Sequence, residues 1–240
     1  MKTLWFEEDL FAHEDAISRA ANAVKGMKLP ADEASQSLRD CARGIIRVDR
    51  PRWEHLSAEQ VPFLTCGLAV RYYIARLGFQ FDLTESGRRK GARFAFARCS
   101  ACLFAARLEQ PQPSVYEVIP QNLLDGEKRG VSLKLSPKIS FADAEASLGA
   151  MEMDLRSGTI EPVVVGFPGH EERFPYWELR PRTGSLIGVR HFWMIIEVPN
   201  ECEAVKLAVK GEADIQSVFG VIPVGPKSRE WAARPSVIID

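Results

Sequence analysis

The 240-residue sequence lacks several features that would assign it to a specialised class of protein. No apolar run approaches the ~20 residues of a membrane-spanning helix. Acids appear at Glu7 and Glu8, where a secretory signal needs an apolar core, so we expect no signal peptide. An excess of one charge is also missing, because 31 basic side chains stand against 32 acidic ones. This balance gives no electrostatic reason to expect nucleic acid or an anionic membrane as a partner.

Cysteines are too few and too irregularly spaced for a disulfide framework. The five are Cys41, Cys66, Cys99, Cys102 and Cys202. An odd number of scattered thiols suits a reducing compartment, so we expect a cytoplasmic protein. Cys99 and Cys102 have the spacing of half a zinc site, but a second pair is missing.

Hydrophobic periodicity divides the chain into a helical part over about 1–110 and a sheet-rich part over about 111–240. Spacing typical of helices predicts two helices before Asp49, a third over 66–77 and a fourth over 92–108. Alternating or continuous apolar runs predict strands at 79–83, 115–119, 131–135, 162–167, 192–198, 204–209 and 218–224, with one more helix over 141–156. No break in composition divides the chain, so we expect one domain over 1–240. The order of elements favours an α+β fold, with N-terminal helices packed on a mostly antiparallel C-terminal sheet.

One short stretch, residues 60–67, points to chemistry. Cys66 stands at the predicted start of the third helix, where unpaired N–H groups and the helix dipole stabilise a thiolate. A thiolate is the nucleophilic form of cysteine. Gln60 offers a side-chain amide that can donate to an oxyanion. Gly67 leaves room for a substrate backbone to approach closely.

Such a nucleophile needs a base, and His191 is the best placed of the four histidines. It begins an apolar predicted strand, and a histidine at the end of a strand can point into a cleft. Trp193 is a candidate for lining a substrate groove. The residue that would orient the imidazole stays open among Asn200, Glu203 and Asp214, or none of them.

These motifs resemble the papain-like cysteine peptidase superfamily, and within it the bacteriocin-processing, leader-cleaving peptidase domains of bacterial export transporters. The pattern Gln-x5-Cys-Gly-Leu-Ala is matched over 60–69, and a Pro-Val-Val strand at 162–164 precedes the histidine strand. The resemblance implies a bacterial protein with a papain-like fold that acts as a thiol protease or a related hydrolase. It also implies a nucleophile at Cys66, a base at His191 and an oxyanion donor at Gln60.

The sequence therefore predicts a thiol-dependent acyl-transfer enzyme that acts on a peptide or a small acyl or amide substrate, without a metal or organic cofactor. Peptidase, amidase and transferase reactions share one acyl-enzyme intermediate, so the choice among them stays open. The main alternative is a non-catalytic binding or immunity-type protein that has an α+β fold and a protein partner. A zinc-stabilised interaction module is a second alternative. Nucleic acid and membranes are not expected as partners.

Overall fold

The computed structural model describes residues 4–23, 31–56, 69–119, 122–123, 163–167, 172–181, 186, 188–218, 220–226 and 232–237. Within these ranges lie thirteen strands and three helices. The strands are β1 (Leu4–Ala12), β2 (Arg43–Asp49), β3 (Arg52–Leu56), β4 (Val70–Leu83), β5 (Arg93–Ala105), β6 (Ser114–Ile119), β7 (Asn122–Leu123), β8 (Val163–Phe167), β9 (Tyr176–Arg180), β10 (Arg190–Pro199), β11 (Val205–Ser217), β12 (Gly220–Pro226) and β13 (Ala232–Val237). The helices are α1 (Glu14–Ala23), α2 (Ala31–Cys41) and α3 (Glu85–Arg89).

The described strands form one antiparallel sheet in the order β6-β10-β4-β2-β1-β12-β11-β5-β9-β8-β7. Two long strands each have two neighbours on one edge. On β4, residues 79–83 pair with β2 and residues 72–76 pair with β3. On β11, residues 213–217 pair with β12 and residues 206–209 pair with β13. The strands β2, β1 and β12 therefore lie between β4 and β11 in the sheet and pair with the C-terminal parts of both.

The two halves of the sheet face each other across the main hydrophobic core. A Cβ added to Gly211 on β11 would overlap Cδ1 of Ile46 on β2, so the backbone of one half lies directly against side chains of the other. Ring contacts join the same halves, with centroids 5.0 Å apart between Trp177 on β9 and Phe192 on β10. Alternating side chains of strands on both sides fill this core, as expected for packed sheets.

The three helices gather at the end of the sheet where β4 leads into β5. Ile17 of α1 and Leu38 of α2 are buried in the main core. Glu14 of α1 pairs with Arg39 of α2 at 2.9 Å. None of the described helices has the length and apolar character needed to cross a membrane.

The predicted α+β fold, with N-terminal helices packed on a C-terminal sheet, is wrong, because five strands, β1 to β5, occupy more than half of the described residues before position 111. The helix predicted over 66–77 is strand from Val70 onwards, and the helix predicted over 92–108 is β5. The papain-like fold implied by the resemblance is wrong for the same reason. The described chain consists mainly of a single antiparallel sheet.

Burial on both faces explains the error at β4. Tyr72, Tyr73, Ile74 and Ala75 are consecutive and all buried, because the odd-numbered pair faces the main core and the even-numbered pair belongs to a second apolar cluster on the other face. Such a strand reads as a continuous apolar run, which periodicity alone does not distinguish from a buried helix. In β5 the abundance of alanine favoured helix.

Other predicted elements are confirmed. Both helices before Asp49 exist as α1 and α2, although Ile45 and Ile46 belong to β2. The strands predicted near 79–83, 115–119, 162–167, 192–198, 204–209 and 218–224 are parts of β4, β6, β8, β10, β11 and β12. The strand predicted at 131–135 and the helix predicted over 141–156 lie outside the described residues.

Candidate functional site

Of the three predicted catalytic residues, the structure describes His191 alone. Gln60, Cys66 and Gly67 lie outside the described residues, whereas His191 is the second residue of β10. β10 pairs with β4 so that position 191 is opposite 78 and position 199 is opposite 70. The pairing of Cys66 with His191 stays a prediction.

His191 instead lies beside charged residues of β2, β3 and β4. It is opposite Gly78, and two residues further along the same face Trp193 is opposite Arg76. Arg76 in turn is directly opposite Arg52 on β3. Directly opposite residues of an antiparallel pair share a face, so these side chains project to one side of the sheet.

Asp49 is the acid at this position. Its Oδ2 lies 3.9 Å from Nε2 of His191. This separation is longer than a hydrogen bond, so the contact is an ion pair only when the imidazole is protonated. Asp49, Arg52, Arg76 and His191 are named the His191 cluster below.

A glycine allows Asp49 to lie against β4. A Cβ added to Gly78 would be 2.8 Å from Oδ2, 3.0 Å from Cβ and 3.1 Å from Cγ of Asp49. Any side chain at this position would therefore displace the whole carboxylate group, since the clash extends to atoms close to the backbone of β2. Gly78 is a structural requirement of the His191 cluster.

The imidazole is held neutral. Burial lowers the pKa of His191 below its ordinary value, and Arg76 and Arg52 lower it further, while Asp49 acts in the opposite direction. Burial disfavours the charged form, and nearby cations disfavour a further positive charge. At neutral pH the His191 cluster therefore has two guanidinium groups, one carboxylate and a neutral imidazole that can donate or accept one hydrogen bond at each nitrogen.

None of the three residues predicted to orient His191 lies near it. Asn200 follows the far end of β10, where its backbone N–H donates to the carbonyl of Ala69 at 2.9 Å. Glu203 pairs with Arg107 at 3.4 Å. Asp214 lies on β11, opposite Phe96 of β5, and burial raises the pKa of its carboxyl.

Asp49 and the two arginines are the residues that sequence reasoning missed. The second helix is predicted to end before Asp49. The alternation of apolar and polar residues from Ile46 to Asp49 is the local signal for a strand at this position. Nothing local to the sequence indicates that β2, β3 and β10 meet, since the pairing is long-range.

Trp193 is a buried residue, not an open groove wall. Its side chain is 5% exposed and packs in the second apolar cluster. The ring centroid lies 6.3 Å from that of His191. The members of this cluster are Leu56, Tyr72, Ile74, Ile119, Trp193 and Ile195. The His191 cluster thus lies at the margin of an apolar surface, where charge interactions are strengthened by low polarity.

The two cysteines with zinc-like spacing are not arranged as ligands of one ion. Cys99 and Cys102 are three residues apart on β5, so their side chains project to opposite faces of the sheet. Cys99 is fully buried, and burial raises its pKa well above the ordinary value. Within the described ranges, no three metal-ligating side chains lie close enough together to hold an ion.

The chemistry available at the His191 cluster is the binding of an anion. Arginine presents N–H donors in a planar fork that matches the geometry of carboxylate and phosphate. A neutral imidazole beside them can add a donor.

Comparisons with known proteins do not assign a family. No protein-family model and no curated protein sequence matches the chain. A solved structure described as "Pore forming protein" superposes with a TM-score of 0.35 and 6% identity, over 78% of this chain and 89% of that chain. A TM-score this low carries no functional argument. The hydrolase and thiol-protease assignments rested on the resemblance to papain-like peptidases, and they are wrong together with it.

Proposed function

We propose that this chain is a non-catalytic binding protein that holds an anionic group of its ligand, a carboxylate or a phosphate, at the His191 cluster. The observation that carries the proposal is the placement of Arg52 directly opposite Arg76 on neighbouring strands. Their two guanidinium groups and the imidazole of His191 project to the same side of the sheet, next to the carboxylate of Asp49. Two planar forks of N–H donors on one face are suited to hold a carboxylate or a phosphate.

The 3.9 Å separation between His191 and Asp49 supports binding over catalysis. Two arginines and burial oppose its protonation, and Asp49 is too distant to accept a hydrogen bond from it. An imidazole that orients a nucleophile needs such a partner. In contrast, a neutral imidazole next to two guanidinium groups is suited to donate one hydrogen bond to an oxyanion that the arginines hold.

The test is thermal unfolding of the full chain in increasing phosphate, with sodium chloride at matched ionic strength as the reference. At about ten times the dissociation constant, a site-bound anion stabilises the folded state by ~1.4 kcal/mol. We expect Arg52→Gln and Arg76→Gln each to remove most of this increase. Because phosphate also stabilises proteins by exclusion from their surfaces, the informative quantity is the difference between variants.

Arg180→Gln is the matched control. Arg180 is an exposed strand arginine on β9, next to Glu178 and outside the His191 cluster. This variant should keep the wild-type response to phosphate. If Arg76→Gln and wild type gain the same stability from phosphate, the proposal is wrong.

Acyl transfer through Cys66 stays an untested prediction that rests on the Gln60–Cys66–Gly67 motif. If our proposal is correct, iodoacetamide alkylates Cys66 at neutral pH no faster than it alkylates a free thiol, and His191→Ala leaves the rate unchanged. Peptide mapping against Cys66→Ser assigns the labelled residue. Fast alkylation of Cys66 that disappears in His191→Ala would favour the enzyme instead, since it would show a thiolate activated by the imidazole.

A cytoplasmic location is part of this proposal. The four cysteines that the structure describes are all free, as expected in a reducing compartment. The ligand is a peptide or a small molecule that carries the anionic group.

A further inference from the structure

The turn that joins β11 and β12 exposes apolar side chains. Ser217 and Gly220 form the last pair of this hairpin, and Val218 follows Ser217 directly. Phe219 lies outside the described residues. Val218 is 75% exposed, and Val221, the second residue of β12, is 54% exposed. Ser217, Val218, Gly220 and Val221 are named the hairpin tip below.

The turn obtains its positive φ from a glycine, since Gly220 has a φ of 107° whereas the φ of Val218 is not positive. A residue in an ordinary backbone region can carry many kinds of side chain, so turn formation does not require a β-branched apolar residue at 218. Core packing does not require apolar residues at 218 and 221 either, because both side chains are exposed. Contact with an apolar surface of a binding partner does explain the exposed valines at 218 and 221.

Cations lie beside the hairpin tip. On the outer face of the sheet, Val221, Gln216 and Arg93 occupy one row across β12, β11 and β5. Two strand spacings, roughly 10 Å, separate Val221 from Arg93. The Arg93 guanidinium donates to Oε1 of Gln216 at 3.1 Å, which fixes the cation next to the tip.

The chain before Arg93 adds more positive charge. Arg88, Arg89 and Lys90, at the end of α3, are all exposed. The guanidinium of Arg89 forms an ion pair with the carboxylate of Glu85, and Nζ of Lys90 lies 3.4 Å from Oδ2 of Asp40.

Neither Arg88 nor Arg93 forms an ion pair within the described part of the chain. Along β11 the acid nearest to the tip on this face is Asp214, one row further from the tip, and burial raises its pKa and so opposes its ionisation. The face beside the tip is therefore cationic at Arg93, and the chain that leads into Arg93 carries the exposed cation Arg88.

We infer that the hairpin tip docks on an anionic lipid surface, with Val218 and Val221 entering the boundary between headgroups and acyl chains and Arg88 and Arg93 at the lipid phosphates. Shallow insertion of apolar residues to ~5–10 Å, with cations at headgroup level, is how interfacial segments bind anionic membranes. The hairpin tip offers far less than the ~800 Å² that each partner of a stable protein interface buries. This inference is independent of the function proposed for the His191 cluster.

Sedimentation of the full chain with lipid vesicles tests the inference. One set contains phosphatidylcholine alone, and the other contains about one third phosphatidylserine, which supplies a negative surface potential. We expect binding to the anionic vesicles that weakens as salt is added. Val218→Asp should weaken it at least about tenfold, because a charge replaces an inserted apolar group. Replacing both Arg88 and Arg93 by glutamine should weaken it several-fold.

Leu108→Asp is the matched control, since Leu108 is 90% exposed in the connection from β5 to β6, at the opposite end of the sheet. Its binding should stay within about twofold of wild type. Val221→Asp provides a second tip variant, and unchanged thermal midpoints verify that each variant is folded. The inference is overturned if wild type does not bind anionic vesicles or binds neutral ones equally well. It is also overturned if folded tip variants bind like wild type, or if Leu108→Asp loses as much.

Discussion

The His191 cluster and the hairpin tip both contain side chains that a β-sheet does not require for its stability. The two regions differ in solvent exposure, because the cluster is partly buried and the tip is exposed. In the cluster, two arginines are directly opposite each other, and the adjacent His191 and Asp49 are half-buried. In the tip, Val218 protrudes and contacts little of the fold. Substitutions in the cluster should therefore alter folding and binding together, whereas substitutions at the tip should alter binding alone.

Both regions also show why the net charge of a chain is a poor guide to its partners. The sequence carries a net charge of −1, which by itself argues against anionic ligands and membranes. Yet Arg52 and Arg76 share one face of the sheet, and Arg93 lies next to the tip, five residues after the exposed Arg88. A local field depends on where charges lie and on the polarity around them, not on their sum.

The largest contrast between the two regions is expected from Gly78→Ala and Val218→Ser. The new Cβ at position 78 would meet the Asp49 side chain at 2.8–3.1 Å, so that β2 or the carboxylate must move. Overpacking of this kind typically costs ~1–3 kcal/mol. The tip variant removes an exposed apolar group and should change stability by no more than about 0.5 kcal/mol. Urea unfolding of both variants measures the difference.

Leu108→Ser serves as a second exposed reference for this comparison, since it should behave like Val218→Ser. Gly78→Ala should also lose much of its response to phosphate, because the group it displaces belongs to the His191 cluster. An unfolding free energy of Gly78→Ala equal to that of wild type would show that Asp49 does not depend on the glycine, and the difference in depth between the regions would no longer hold.

Much of the strand content was predictable from the sequence, but the class of the fold was not. Strands with one buried face, such as β6 and β11, follow from local alternation of apolar and polar residues. The strand β4 does not, because its residues 72–75 are buried on both sides and give no period of two. Whether such a run is strand or helix is decided by its partners β2, β3 and β10, which lie elsewhere in the chain.

The candidate site was predictable only at His191. That residue was identified because it begins an apolar strand, and the strand is β10. The residues around it depend on pairings between distant segments, since Asp49 and Arg52 precede His191 by about 140 positions. The role assigned to His191 came from a motif whose cysteine lies outside the described residues. The register of the pairing between β4 and β10, not a local sequence pattern, places Arg76 and Gly78 beside His191.

The smallest expected effect is a difference in the pH dependence of stability between the two regions. The pKa of His191 is lowered in the folded protein, so between that value and the ordinary ~6.5 the unfolded chain binds the proton more readily. The stability that the neutral imidazole of His191 contributes is fully present above pH ~6.5, and it is lost as the pH falls through the lowered pKa of the folded protein. The carboxyls of Glu8, Glu117 and Asp214 have raised pKa values and act in the opposite direction, since the folded state retains their protons better.

The difference between wild type and His191→Gln isolates the histidine from those carboxyls. We expect the unfolding free energy of His191→Gln, measured with urea at pH 7, 6 and 5, to fall less steeply with acidity than that of wild type. Val218→Ser should follow the wild-type slope, because the hairpin tip contains no titratable group. Parallel curves for wild type and His191→Gln would mean that burial and the two arginines do not oppose protonation of His191. The His191 cluster would then carry an additional cation at mild acidity, and the neutral imidazole on which the proposed binding mode depends would be lost.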